Sequence, residues 1–309
     1  YRIDAEVGRG GMGVVYLAKK LDDNERYVVK VLHDNHDQTG RKRFLREARM
    51  LQAIERPNIA RLIEVQDTAQ PFIAMEYIEG LSLEEELARR PSFEIGQACR
   101  IIRDIARALT KAHQISVIHR DIKPANIMLN KKGEPKLIDF GLAKTENDNA
   151  ISIAGLAIGT PQYMAPEQWG KNRVDARCDI YSLGVTFYEL VTGLLPFPFT
   201  DNKSIIKYML AGQFTRPRTL VPELSAEFEL IMYQMLEPDR SYRYHSADQV
   251  AADIERALAG KAIQLPCLIE EEEEEEEEED NSRARKRYPL IPGKTFQVGR
   301  DVACTIPIN

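Results

Sequence analysis

Cysteine, tryptophan and long apolar runs are scarce in this sequence. Its 309 residues include four cysteines, one tryptophan and 7% aromatics. Cys99, Cys178, Cys267 and Cys304 lie far apart, with no C-x-x-C pair. That spacing excludes a zinc signature and a disulfide framework, and it favours a reducing compartment. No stretch approaches the roughly 18 apolar residues of a membrane helix. The best charge-free run, Ala150–Pro166, is interrupted by Ser152, Thr160, Pro161 and Gln162. No internal repeat is visible. An initial Met and a signal peptide are missing at Tyr1, which reads as a piece of a longer chain.

A basic excess is missing too. The chain carries 42 Lys+Arg against 48 Asp+Glu, a net charge of −6. Residues 1–269 hold 36 of each sign, residues 270–280 are eleven acids, and residues 281–309 hold six basic residues and one acid. A neutral body, an acidic block and a basic tail are three different objects. The body has none of the positive excess that drives non-specific nucleic-acid binding, so no nucleic-acid partner is expected.

Hydrophobic residues, at 43%, are plentiful enough for a large core. Val14–Ala18, Arg26–Leu32 and Phe72–Tyr77 read as strands, rich in β-branched and aromatic residues. Phe44, Ala48 and Leu51 put one apolar stripe on a helix over Arg41–Ile54. After Gly80 helical patterns dominate: Leu83–Arg89, Gln97–His113, and several from Asp179 through Asp248–Leu258. Lys131-Lys132-Gly133 reads as a hairpin turn between Ile127–Leu129 and Lys136–Ile138. Ala143–Gly159 reads as a long loop, a kind of segment that is usually functional or disordered. A small β-rich part followed by a larger helical part predicts an α+β arrangement of two lobes, and the cleft between lobes is a favoured ligand site.

Several short motifs carry chemistry. Gly8-Arg9-Gly10-Gly11-Met12-Gly13 precedes a strand, and its glycines would let backbone N–H groups approach phosphates closely. Alone, the pattern equally describes a flexible turn, and a strand rather than a helix follows it, against a dinucleotide-binding unit. Lys30 has apolar flanks, and a buried ammonium needs an anionic partner. Glu47, on the predicted helix, is the candidate; solvated side chains are the plain alternative for both. His119-Arg120-Asp121-Ile122-Lys123-Pro124-Ala125-Asn126 crowds polar groups between Val117-Ile118 and Ile127-Met128-Leu129. Polar groups framed in this way must be bonded or put to use. Asp139-Phe140-Gly141 follows the next strand. Asn126 and Asp139 offer oxygen ligands of the kind Mg²⁺ prefers, alongside substrate phosphates. His33 and His36 with Asp34 and Asp37 read as a solvated loop in preference to a metal site, since no further ligands gather there.

Taken in order, the Gly-rich loop, Lys30, Glu47, His119-Arg120-Asp121 with Asn126, Asp139-Phe140-Gly141 and Ala165-Pro166-Glu167 form the protein-kinase signature set. The sequence resembles the eukaryotic-like Ser/Thr protein kinases of bacteria. Gly8–Tyr16, Gly159–Gln168 and Asp179–Gly184 add to the match, which spans about residues 1–260. The resemblance implies a two-lobed kinase fold, with the N-lobe over 1–80, the C-lobe over 81–262 and the active site in the cleft. It implies a protein Ser/Thr kinase using ATP and Mg²⁺, acting on protein substrates, on the cytoplasmic side.

The resemblance also implies roles. Gly8, Gly10 and Gly13 would cover the ATP phosphates. Lys30 would pair with the α/β phosphates, held by Glu47. Val15, Val28 and Met128 would enclose the adenine, beside a hinge at Met75, Glu76 and Ile78 with Met75 as gatekeeper. Val28 stands where the family mostly has Ala, which should narrow the adenine pocket. Asp121 would take the substrate hydroxyl proton, Lys123 would neutralise the transferring phosphoryl group, and Asn126 and Asp139 would hold Mg²⁺. Arg120 would meet a phosphorylated activation segment, with Ser152 the expected autophosphorylation site and Thr145 a second. Phe140, Thr160 and Glu167 would be structural, with Glu167 paired to Arg243 despite a Pro238-to-Arg243 spacing two residues longer than usual. A pseudokinase or scaffold is the alternative from another class. It would need a missing catalytic residue, and Lys30, Glu47, Asp121, Asn126 and Asp139 are all present.

Residues 263–287 read as an acidic and basic linker. Ten consecutive Glu repel one another and favour a solvated segment over an inhibitor folded onto the substrate groove. Residues 288–309 resemble the opening strands of a forkhead-associated domain, a phosphothreonine-reading module, cut short. That likeness would make Arg300 its first phosphate contact; a hairpin of other purpose is the alternative.

Overall fold

Strands rich in β-branched residues build the first layer of the structure, a computed structural model. It describes residues 1–10, 13–33, 38–52, 57–140, 160–170 and 174–265, apart from the side chains of 38–40, 43 and 47, and the backbone of four short strands beyond them. Strands β1 (Arg2–Gly10), β2 (Gly13–Lys19), β3 (Arg26–Leu32), β4 (Leu62–Gln66) and β5 (Phe72–Glu76) form one sheet in the order β1-β2-β3-β5-β4. All its pairings are antiparallel. Helix α1 (Gln38–Gln52) lies between β3 and β4 in sequence and buries Phe44, Leu45, Ala48 and Leu51.

Two of these strands were not legible in the sequence pattern. β1 is exposed over most of its length, so no apolar alternation marks it. Gly8 and Gly10 therefore lie within a strand and not in a loop preceding one. β4 is a short strand at the sheet's edge, and only Leu62 in it is fully buried. At Gly13 a Cβ would sit 2.1 Å from the Val31 carbonyl oxygen, so the β2–β3 approach requires glycine there.

The helical lobe begins with β6 (Gly80–Ser82) and α2 (Leu83–Arg89). Ser82 Oγ accepts from Glu85 N, and the Glu85 carboxylate accepts in turn from Ser82 N, a reciprocal cap. Helix α3 (Ile95–Gln114) starts two residues earlier than its apolar stripe, because the Glu94 carboxylate accepts from Gly96 N and Gln97 N. Ile101, Ile102, Ile105 and Leu109 of α3 are fully buried, and each such side chain contributes about 1.5–3 kcal/mol over an exposed one. Strands β7 (Ile127–Asn130) and β8 (Pro135–Leu137) pair across the Lys131–Glu134 turn, where Gly133 has φ of +76°.

Helix α4 (Arg177–Thr192) is buried on nearly every face and forms the axis of this lobe. After α5 (Asn202–Leu210), helices α6 (Pro217–Leu220) and α7 (Ala226–Met235) pack on α4, and α8 (Ala247–Leu258) packs on α3. No helix among the described residues is long and apolar enough to cross a membrane. Further on, β9 (Leu268–Glu271) pairs antiparallel with β10 (Arg285–Tyr288), and β11 (Thr295–Gln297) with β12 (Ala303–Thr305). The acidic run of the linker thus begins in one strand and its basic cluster ends in the partner. Glu271 stands opposite Arg285, and Glu270 opposite Lys286.

Candidate active site

The site forms where the sheet lobe meets the β7–β8 hairpin. A cavity of about 450 Å³ lies there, lined by Gly8, Val15, Val28, Lys30, Met75, Glu76, Ile78, Asn126, Met128 and Asp139, among others. Strand pairing explains the grouping from the upper lobe. Val15 faces Lys30 in the β2–β3 register, and Val28 faces Met75 in the β3–β5 register. Gly10 and Gly13 face each other at the turn end of the β1–β2 pair. Gly11 and Met12, between them, lie outside the described residues.

Lys30 is 8% exposed, the polar exception on its strand. Its ammonium pairs with the carboxylate of Asp139, 109 residues away. The side chain of Glu47, the partner expected from the sequence, lies outside the described residues. Asp139 has φ of +54° and Arg120 φ of +62°, both in the left-handed region that non-glycine residues rarely adopt. Two such residues at two candidate motifs mark places where the fold holds the backbone against its preference.

The loop from His119 to Asn126 is held by a buried carboxylate that the motifs left without a role. Asp179, on the first turn of α4, is fully buried. Its Oδ2 accepts from His119 N at 2.8 Å, and its Oδ1 accepts from Arg120 N at 2.8 Å. His113 Nε2 lies 2.8 Å from Oδ2. Positive φ at Arg120 turns consecutive N–H groups onto the one carboxylate. Burial pushes the Asp179 carboxyl up, but the bonds and charge from His113 and His119 outweigh it and hold it below the usual carboxylate range. His119 is fully buried, and desolvation pushes its imidazole below its ordinary value, toward the neutral form. The signal for Asp179 was the Asp179–Gly184 motif at the start of a mostly apolar, buried helix.

From this base the loop presents its chemistry. Asn126 Nδ2 donates to the Asp121 carbonyl at 2.7 Å and to its Oδ2 at 3.0 Å. Lys123 Nζ lies 3.1 Å from Asp121 Oδ2 and donates to Thr160 Oγ1 at 3.1 Å. Asp121, Lys123 and Asn126 therefore converge, with Thr160 tying them to the segment ahead of Ala165-Pro166-Glu167. The Phe140 ring packs 4.7 Å from the His119 ring, joining the Asp139 segment to the same base. Gly141, Thr145 and Ser152 lie outside the described residues, as do Asp34, His36 and Asp37.

Glu167 and Arg243 meet in a buried ion pair, with Nη1–Oε1 at 2.8 Å and Nη2–Oε2 at 3.2 Å. The longer spacing after Pro238 does not prevent it. The loop turns back on itself, and Arg243 also donates to the carbonyls of Glu237 and Pro238.

The donor set suits a divalent cation held partly by phosphate. Asn126 and Asp139 both face the cavity and offer hard oxygens. Among the described residues no three His, Cys, Asp or Glu side chains gather into an all-protein metal cage.

Comparison with known proteins agrees with this geometry. The protein kinase domain family model matches residues 1–253. A probable serine/threonine-protein kinase of Streptomyces coelicolor is 34% identical over 272 residues, covering 85% of this chain and 40% of that protein. Serine/threonine-protein kinase pkn3 of Myxococcus xanthus is 36% identical over 270 residues, covering 82% of this chain and 49% of its own length. Serine/threonine-protein kinase PknB of Mycobacterium tuberculosis is 33% identical over 283 residues, covering 88% and 45%. The chain spans less than half the length of these curated relatives. Signature motifs, a two-lobed fold and a family match over residues 1–253 lead to one conclusion: the chain belongs to the protein kinase domain family.

Proposed function

We propose that this chain is an active protein Ser/Thr kinase domain that transfers the ATP γ-phosphate to Ser or Thr hydroxyls of protein substrates. The observation that carries the reading is the convergence of Asp121, Lys123 and Asn126 beside a cavity that also holds Lys30 and Asp139. Lys30 serves the α/β phosphates, and its ion pair with Asp139 gives way to them. Asp121 Oδ2, already within bonding distance of Lys123 and Asn126, orients the acceptor hydroxyl and takes its proton. Lys123 offsets the charge on the transferring group. Asn126 and Asp139 would hold Mg²⁺, which when bound neutralises phosphate charge. Positioning and charge stabilisation carry such a reaction, because the protein forms no covalent bond. Val15, Val28, Met75 and Met128 enclose the adenine, and the hinge backbone at Glu76 and Ile78 bonds its edge. The present Lys30, Asp121, Asn126 and Asp139 disfavour a pseudokinase.

The same reading assigns autophosphorylation to Ser152, with Thr145 second, and pairs the resulting phosphate with Arg120. It divides the chain into lobes at 1–80 and 81–262, a linker at 263–287 and a phosphothreonine-reading edge at 288–309 that begins with Arg300. The β11–β12 pairing supports a strand-built start for that last part. The reading assigns the domain to the cytoplasmic side, where ATP is available.

Labelled ATP and a mixed protein acceptor test the chemistry, with phosphoamino-acid analysis of the product. Phosphoserine and phosphothreonine are expected. Label found only on tyrosine, or only on small molecules, overturns the assignment.

A further inference from the structure

We propose that Glu76 and Lys136 are positioning residues whose side chains clamp the hinge and set the distance between Lys30 and Asp139. The role is separate from any use of the hinge backbone. It rests on the kinase reading above only where nucleotide is concerned.

The clamp closes a triangle of three chain segments. Glu76 ends β5, and its Oε1 accepts from Lys136 Nζ at 2.5 Å and from Arg61 N at 3.0 Å. Glu76 N also donates to Arg61 O at 2.9 Å. Lys136 belongs to β8, three residues before Asp139. The segment 58–61 is bound in turn to β8. Leu137 N donates to Asn58 O, Ala60 N donates to Leu137 O, both at 2.9 Å, and Asn58 Nδ2 donates to Pro135 O at 2.8 Å. Two sides of the triangle are thus backbone ladders. The third, Glu76 to Lys136, is an ion pair.

That third side spans the lobes, as does the backbone ladder from 58–60 to β8. Asp139 follows β8 directly, and β8 carries Lys136. Glu76 ends β5, where Ile73 stands opposite Lys30 of β3. A closed mechanical path therefore runs from Asp139 through Lys136 and Glu76 to Lys30, and the Lys30–Asp139 ion pair completes it. Rotation of the lobes about Tyr77–Glu79 must stretch the Glu76–Lys136 side or carry it along. The pair is well placed to resist: its side chains are only 24% and 19% exposed, so water screens it less than a surface pair. A charge-assisted bond to a planar carboxylate that also takes Arg61 N has a preferred direction as well as a strength. With the clamp intact, nucleotide meets Lys30 and Asp139 near their bound spacing. Without it, part of the binding energy goes into closing the lobes.

Three variants test this. Lys136→Met keeps the apolar stem and removes the charge. Glu76→Gln keeps an acceptor for Arg61 N. Lys136→Arg keeps the cation. Loss of either partner should raise the KM for ATP about 3- to 10-fold, a coupling typical of contacting residues, with kcat within about twofold. The double variant Glu76→Gln, Lys136→Met should be no worse than either single one, and Lys136→Arg should stay close to the parent. Amide exchange at Ala60 and Leu137 in the nucleotide-free protein should be faster in both single variants. That measurement uses no catalysis, so a failed clamp and a failed kinase assignment give different results. Unchanged KM with a lowered melting temperature would reduce the pair to a structural contact. Effects that multiply in the double variant would show two independent residues, and either result overturns the clamp.

Discussion

At the scale of single residues, the groups assigned to the chemistry differ from those that hold them. Lys123 and Asn126 both bond Asp121, while Asp179 with His113 and the buried Glu167–Arg243 pair support the surrounding segments. Arg243 is fully buried and Glu167 nearly so, which makes their pairing costly to break from one side. Arg243→Met should leave the Glu167 carboxylate buried without its counter-ion, a loss of about 3–5 kcal/mol. Denaturant unfolding checks this, and a loss below about 1 kcal/mol would show that the carboxylate finds other partners. The motif residues were legible because each is a polar exception in an apolar frame. Asp179 was less so, because one acid near the start of a helix also reads as a helix-dipole contact. Only its burial and its two backbone donors reveal the load it carries.

At the scale of elements, the His119–Asn126 loop and α4 behave as one electrostatic unit. The folded-state carboxyl of Asp179 titrates below its ordinary value of 3.8. Its contribution is therefore present above that value and is lost as pH falls through the lower, folded one. His119 also titrates below its ordinary value of 6.5, so below that pH the unfolded chain takes up a proton that the fold refuses. Both signs agree, and stability from this unit falls as pH drops from about 6.5. Glu189 and Glu237 act in the opposite direction, because burial raises both. The informative quantity is therefore a difference. Asp179→Asn should flatten the acid side of the melting temperature profile, most clearly below pH 4. Parallel profiles for parent and variant would show that the carboxylate carries no pH dependence. Helices α1 and α3 were readable from apolar periodicity, strands β2, β3 and β5 from their β-branched and aromatic residues, and β7 and β8 from the turn between them. β1 was hidden by its exposure, and β4 by its length and edge position. The start of α3 was hidden by a cap that apolar periodicity does not record.

At the scale of the whole molecule, the charge of −6 belongs to no face of the kinase domain, since residues 1–269 balance. The acidic block begins in β9 and the basic cluster that follows it ends in β10, where opposite charges share a register. Ten consecutive glutamates repel one another and favour a solvated segment over one folded onto the cleft. Deleting residues 270–280 should therefore leave kinase activity unchanged at low and high salt. An increase confined to low salt would restore an inhibitory role for the glutamates.

The central claim is that Asp121 performs the proton step in a site assembled from both lobes. It is tested by comparing phosphoryl transfer and nucleotide binding in the parent and in Asp121→Asn. ATP affinity should stay within about twofold, since the Lys30 and hinge contacts remain, while transfer should fall by roughly 100-fold or more, the usual effect of losing a general base. Equal incorporation of label by the two proteins would contradict the assignment.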